Sequence, residues 1–109
     1  MTDNETDNFF FTVQTSFNCS IRVTVAYWNI ITQIKHPIMN GQEAEVQATL
    51  TQPDEIRQSR SDPNVYLFYK LQSEKRWICA VVRQLNGEGF LITTYPTDAI
   101  KEGKTIWQK

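Results

Sequence analysis

Between residues 65 and 95 the chain carries three segments rich in β-branched and aromatic residues, at 65–71, 77–85 and 90–95. They are cut by a polar turn at 72–76 and by Asn86-Gly87-Glu88-Gly89. Residues of these types fit a pleated, half-buried surface, and short polar or Gly-containing turns between such runs predict an antiparallel meander. The rest of the chain has to be arranged around that block. Upstream, Phe9, Phe11, Val13, Thr15 and Phe17 alternate with mostly polar neighbours, which predicts a strand. Asn18-Cys19-Ser20 reads as a turn and Ile21-Arg22-Val23 as a short returning strand. Thr24 can then cap a helix whose apolar residues Tyr27, Ile30, Ile31 and Ile34 recur at helical spacing. That helix must end near Lys35-His36, because Pro37 drives the preceding residue out of the α region. A second helix is predicted over 42–50, with Glu43 and Glu45 in the first turn, where the helix dipole favours them, and Val46 and Leu50 at buried spacing. Pro53 closes it or opens a further turn at 54–56, and 57–64 reads as a polar loop. A turn at 101–103 and a short strand at 105–107 complete the chain. The expected class is α+β: an N-terminal strand or hairpin and two helices packed on a mostly antiparallel sheet of about four strands. Residues 9–109 form a single domain, and residues 1–8 are expected to be a disordered acidic tail.

Composition excludes several chemistries. A chain of 109 residues with 40% hydrophobic content can build one modest core. Residues 1–8 carry three acids and no base, the reverse of a secretory leader. The longest aliphatic run, 78–82, is far too short to span a bilayer. These features point to a cytoplasmic protein, with Cys19 and Cys79 as reduced, buried small residues. One His and two distant Cys cannot assemble a zinc site, and the acids show no Asp-x-Asp spacing. No metal and no cofactor is expected. Gly87 and Gly89 sit in a hairpin with no helix after it, so there is no phosphate-binding glycine loop. The net charge of −1 hides a basic stretch: residues 56–83 hold six bases against two acids. Such a patch suits phosphate.

The residues able to carry chemistry are few. His36 is the only histidine, and histidine is the side-chain type best suited to acid–base chemistry near neutrality. Arg57, Ser59 and Arg60 follow a helical turn, and arginine's planar fork matches phosphate. Tyr69 and Lys70 are adjacent on one strand and therefore point to opposite faces, while Arg83 lies on the next strand. Thr93-Thr94-Tyr95 ends the third strand ahead of Pro96. Trp28, Trp77 and Trp107 read as core anchors.

The order of these pieces carries a resemblance. Tyr27-Trp28 and Lys35-His36-Pro37 come first, followed by Pro53-Asp54-Glu55-Ile56-Arg57-Gln58-Ser59. Asp62 with Val65-Tyr66-Leu67-Phe68-Tyr69 follows, and then Gly87-Glu88-Gly89-Phe90-Leu91-Ile92-Thr93-Thr94-Tyr95. Over roughly residues 27–107 the series resembles a family of small bacterial and phage-associated proteins in the barnase–EndoU–colicin–RelE-like ribonuclease superfamily. The resemblance implies helices on a four-stranded antiparallel sheet, an active site on the open sheet face, and RNA cleavage without metal. Carried over by position, it implies a catalytic set of His36, Arg57, Tyr69 and Thr94. Ser59, Arg60, Lys70, Arg83, Thr93 and Tyr95 are then left to bind substrate. It also implies RNA as substrate and an antitoxin or immunity protein as partner, and it admits a homodimer through the added N-terminal strands. The alternative is a module of the same fold that binds RNA or protein without cleaving.

Overall fold

The computed structural model describes residues 9–109, and the expected acidic tail at 1–8 lies outside the described residues. Seven strands form one sheet: β1 (Phe9–Gln14), β2 (Ser20–Thr24), β3 (Glu55–Gln58), β4 (Val65–Ser73), β5 (Arg76–Leu85), β6 (Glu88–Thr97) and β7 (Lys104–Gln108). Their spatial order is β1-β2-β6-β5-β4-β3-β7. Between β2 and β3 come α1 (Val25–Ile30), a π-helical turn (Ile31–Lys35) that continues it, a 3-10 turn (Pro37–Met39) and α2 (Glu43–Thr51). The meander β4–β5–β6 lies where its composition predicts, paired antiparallel throughout.

The sheet of about four strands is the expectation that fails. The N-terminal hairpin does not sit apart from the sheet but extends it. Ser20, Ile21 and Arg22 of β2 run parallel to Glu88, Gly89 and Phe90 of β6, which makes the sheet mixed. Residues 54–58, expected as turn and loop, include β3, held between β4 and β7. This strand hides because its outward residues are ionic. Ile56 enters the core, while Glu55 and Arg57 pair with each other on the other face, Nε to Oε2 at 2.7 Å.

One face of the sheet carries the main core. Ile21, Val23, Ile56, Phe68, Ile78, Ala80, Val82 and Leu91 meet Trp28, Ile31, Met39, Val46 and Leu50 from the helical segments. Each such burial contributes roughly 1.5–3 kcal/mol, which is why α2 stays docked despite its nine residues. Thr24 caps α1 as expected, its Oγ1 accepting from the Tyr27 N–H at 3.1 Å. The expected buried stripe on this helix is only partly realised. Trp28, Ile31 and Thr32 are buried, but Ile34 is 74% exposed. A π turn adds one residue to the helical repeat and rotates the residues beyond it out of phase. Trp28 alone of the three tryptophans is a core anchor; Trp77 is half-buried on the opposite face, and Trp107 is exposed on the edge strand β7.

Only residues 88–90 of β6 are flanked by β2, so the rest of that strand has a neighbour on one side. This permits Pro96 within a strand, since its missing N–H breaks no ladder on a free edge. A bulge interrupts the β5–β6 register between Val81↔Thr93 and Val82↔Leu91, leaving Ile92 unpaired. Among the described residues no helix is long and apolar enough to cross a membrane.

The segment between β6 and β7 crosses the open face and is fastened at Gly103. This glycine has φ +82°, and a Cβ there would stand 2.7 Å from the Gln58 carbonyl oxygen. Gly103→Ala should therefore destabilise the protein by about 1–3 kcal/mol, read as a lower midpoint in urea. Gly87→Ala, at similar φ but with nothing within 4 Å, isolates the backbone strain and should cost less.

Candidate functional site

The face opposite the helices carries the site, and its layout follows from strand register. One row runs Arg57–Leu67–Val81–Thr93 across β3, β4, β5 and β6, and the next runs Glu55–Tyr69–Cys79–Tyr95. Leu67, Tyr69 and Cys79 are buried there, packed by Trp77, Val81, Tyr95 and Ile100. Ile100 belongs to the crossing segment, which thus becomes the wall of a cleft. The cleft has a volume of about 750 Å³; Val65, Leu67 and Val81 form its apolar floor, with Thr93 and Tyr95 beside them. Ser59, Arg60 and Ser61 form one rim, and Lys101, Glu102 and Gly103 the other.

His36 reaches this face from the helical side. Its N–H closes the π turn on the Ile31 carbonyl at 2.7 Å, and the extended backbone that Pro37 demands (φ −145°, ψ 79°) ends the helical run there. The 31–39 segment lies along the free half of β6. Its anchor is the bulged Ile92, whose carbonyl accepts from the Tyr27 hydroxyl at 2.7 Å and from Lys35 Nζ at 3.1 Å. The His36 ring consequently packs on the Tyr95 ring, centroids 5.3 Å apart and tilted by 42°.

The structure sorts the expected site residues into two groups. His36, Ser59, Arg60, Thr93 and Tyr95 gather at the cleft or its edge. Tyr69 shares their face but is only 1% exposed, beneath the surface rather than on it. Arg57 also shares the face, yet about three strand spacings, roughly 14 Å, separate its backbone from Thr93. Its guanidinium is committed to Glu55 and to the Glu102 and Gly103 carbonyls, 3.5 and 3.3 Å away. Arg57 is a brace for the cleft wall. Lys70 lies on the other face, its Nζ donating at 2.9 Å to the Gln52 carbonyl that ends α2. Thr94 also faces away, fully buried, with Oγ1 donating to the Cys79 carbonyl at 2.8 Å. Arg83 is paired with Asp62 at 2.5 Å; the Asn64 N–H and then this guanidinium hold the Asp62 carboxyl below the usual carboxylate range. Lys101 was not among the sequence candidates. Its signal is Ile100, an apolar residue in an otherwise polar turn, which pins the segment to the sheet and brings the next residue to the rim.

Among the described residues Arg60 and Lys101 form no ion pair, so they are the cations at this cleft available to an anion. No group of three or more His, Cys, Asp or Glu side chains able to hold a metal ion occurs among the described residues. Under the cleft, burial pushes the Cys79 thiol up to about 12, although the Tyr95 and Tyr69 hydroxyls hydrogen-bond it. Burial also drives both tyrosine hydroxyls well above their ordinary range, with the neighbouring Cys79 adding to it.

These groups give stability a definite pH dependence. In the unfolded chain the thiol ionises near pH 9 and the tyrosines near pH 10, while in the fold all three stay protonated. Their stabilisation is present in full below about pH 9 and is lost as pH rises toward about 12. Urea midpoints should therefore hold between pH 7 and 8.5 and fall at pH 10 and above. Cys79→Ala should make the first part of that fall shallower, because the buried Cys19 thiol, also raised by burial, is then the one thiol left to contribute below the tyrosines.

Comparison with known protein families, curated proteins and solved structures found no match to this chain.

Proposed function

We propose that this protein is a metal-independent endoribonuclease whose active site is the cleft between the 59–61 and 101–103 segments, with His36 at its edge. The observation that carries the reading is the contact between His36 and Tyr95. It sets the only histidine against a residue lining a cleft whose rim bears two cations outside any described ion pair and one acid, Glu102. Cleaving RNA without metal requires three things: removal of the 2′-hydroxyl proton, stabilisation of charge on the phosphoryl oxygens, and protonation of the leaving 5′ oxygen. His36 takes one proton-transfer role. Arg60 and Lys101 meet the phosphoryl oxygens, with the Ser59 hydroxyl as a further donor, so the clamp first expected of Arg57 passes to Arg60. Tyr69 is buried and Lys70 lies on the other face. The remaining proton transfer therefore falls to Tyr95 or to water. The setting proposed with this activity is the cytoplasm, and the regulation proposed with it is an antitoxin or immunity protein that covers the cleft.

One observation favours the non-catalytic alternative. Burial keeps the Tyr95 hydroxyl protonated far above neutrality, which suits a hydrogen-bond donor better than a proton shuttle. RNA retained in a salt-dependent manner without cleavage would assign the protein to that class.

The discriminating experiment is incubation of the purified protein with RNA in EDTA. Wild type should cleave, and His36→Ala should lower the rate about 10²–10⁴-fold. Arg60→Ala should weaken cleavage while leaving the urea midpoint unchanged. Arg57→Ala should instead lower the midpoint, as a brace would. Intact RNA with wild type, or equal cleavage by His36→Ala, would remove the assignment. In cells, overexpression should arrest growth and His36→Ala should relieve the arrest.

A further inference from the structure

The cleft is much larger than one phosphate needs. At about 750 Å³ it falls within the range of roughly 300–1,000 Å³ that takes whole small molecules. Its chemistry is also divided. Two cations, one acid (Glu102, beside Lys101) and the serines stand on the rims, a net positive edge, while the floor is Val65, Leu67 and Val81. A phosphate has no use for an apolar floor; a flat heterocycle does, because burying its faces removes apolar surface from water. Tyr95 adds an aromatic wall, itself backed by the His36 ring.

Thr93 supplies a second, independent observation. It lines the cleft, and its Oγ1 is buried with no hydrogen-bond partner among the described residues. Leaving a buried hydroxyl unpaired is unfavourable, and neighbouring strand positions offer it no relief: Val81 faces it across β5 and Leu67 lies beyond. The edge of a nucleobase carries the donors and acceptors that would satisfy it after a turn of the threonine side chain.

From this division we infer that the cleft seats one unpaired nucleobase, its faces against Val81, Leu67 and Tyr95 and its edge toward Thr93. The flanking phosphate is then held by Arg60 and Lys101. The inference rests on reading the cleft as an RNA site and names the form of RNA it takes. A base stacked inside a duplex cannot enter a pocket, so the substrate is single-stranded or looped RNA with a splayed nucleotide. A hydroxyl both donates and accepts, so Thr93 favours the presence of a base without choosing among bases.

The test uses the full chain bearing His36→Ala, so that RNA is consumed too slowly to disturb the titration. Ribose 5-phosphate and the four nucleoside monophosphates are titrated separately, following the methyl resonances of Val81 and Leu67. The nucleotides should bind roughly 5- to 150-fold more tightly than ribose 5-phosphate, the range expected for one stacked base, and should shift both methyl groups. Equal affinity and equal shifts would overturn the base seat. A single-stranded oligoribonucleotide should compete with the nucleotides and a blunt duplex of the same sequence should not; equal competition would also overturn it. Thr93→Val should keep or raise folding stability, since it removes an unpartnered hydroxyl, and should weaken nucleotide binding roughly 2- to 12-fold. A loss of stability with unchanged binding would make the hydroxyl structural and remove it from the seat. Cleavage is scored separately with wild-type protein. Base-dependent binding without cleavage removes the nuclease reading alone, and cleavage without base-dependent binding removes the seat alone.

Discussion

The carbonyl of Ile92 is the point on which the arrangement of the site depends. A bulge leaves this residue unpaired in the β5–β6 ladder, and its oxygen would be an orphan acceptor at a sheet edge. Tyr27 and Lys35, from the two ends of one continuous helical segment, both donate to it, and Lys35 also donates to the Tyr27 hydroxyl at 2.8 Å. The triangle ties that segment to the free half of β6. Because the next residue is His36 and the one after it is Pro37, the helix ends where its last side chain meets Tyr95. Bulges commonly re-aim strands beside functional sites, and here the bulge also provides the anchor for a residue from the other layer.

The charges follow a similar economy. Of the basic residues between 56 and 83, Arg57 is held by Glu55 and Arg83 by Asp62, and Lys70 closes the carbonyl end of α2. Each of these side chains fastens one part of the chain to another: Arg57, through the Glu102 and Gly103 carbonyls, ties β3 to the crossing segment, Arg83 the 59–64 loop to β5, and Lys70 α2 to β4. Arg60 and Lys101, which form no ion pair among the described residues, line the same cleft from separate segments. The charged patch along the sequence thus resolves into three braces, two exposed residues at the β4–β5 turn (Lys75 and Arg76) and one cation at the cleft, Arg60, which Lys101 joins from outside the patch.

This division explains what could be read in advance. The meander was legible because three runs of β-branched and aromatic residues need no distant partner to be recognised, and the Thr24 cap and the stop at Pro37 are equally local. β3 was not legible, since Glu55 and Arg57 disguise its alternation, although an acid and a base two apart on one strand share a face. The parallel contact of β2 with β6 leaves no mark in either segment. Tyr69 and Lys70 could be sent to opposite faces by parity, but which one faced the site depended on the layer the helices would cover. Thr93, Thr94 and Tyr95 posed the same choice, and the bulge at Ile92 shifts the count upstream of them. Arg57 drew attention as a guanidinium near a serine, yet its partner was already in the chain two residues before it.

The wall of the cleft is attached at its far end to β7, a strand with a sheet partner on one side only. Strands at a sheet margin open at lower free energy than those at its centre. Fraying of β7 would release Gly103 from Gln58 and widen the cleft while the apolar layer under the helices stays intact. The opening of the cavity and the unfolding of the domain are thereby separate events, with the cheaper one located at the cleft.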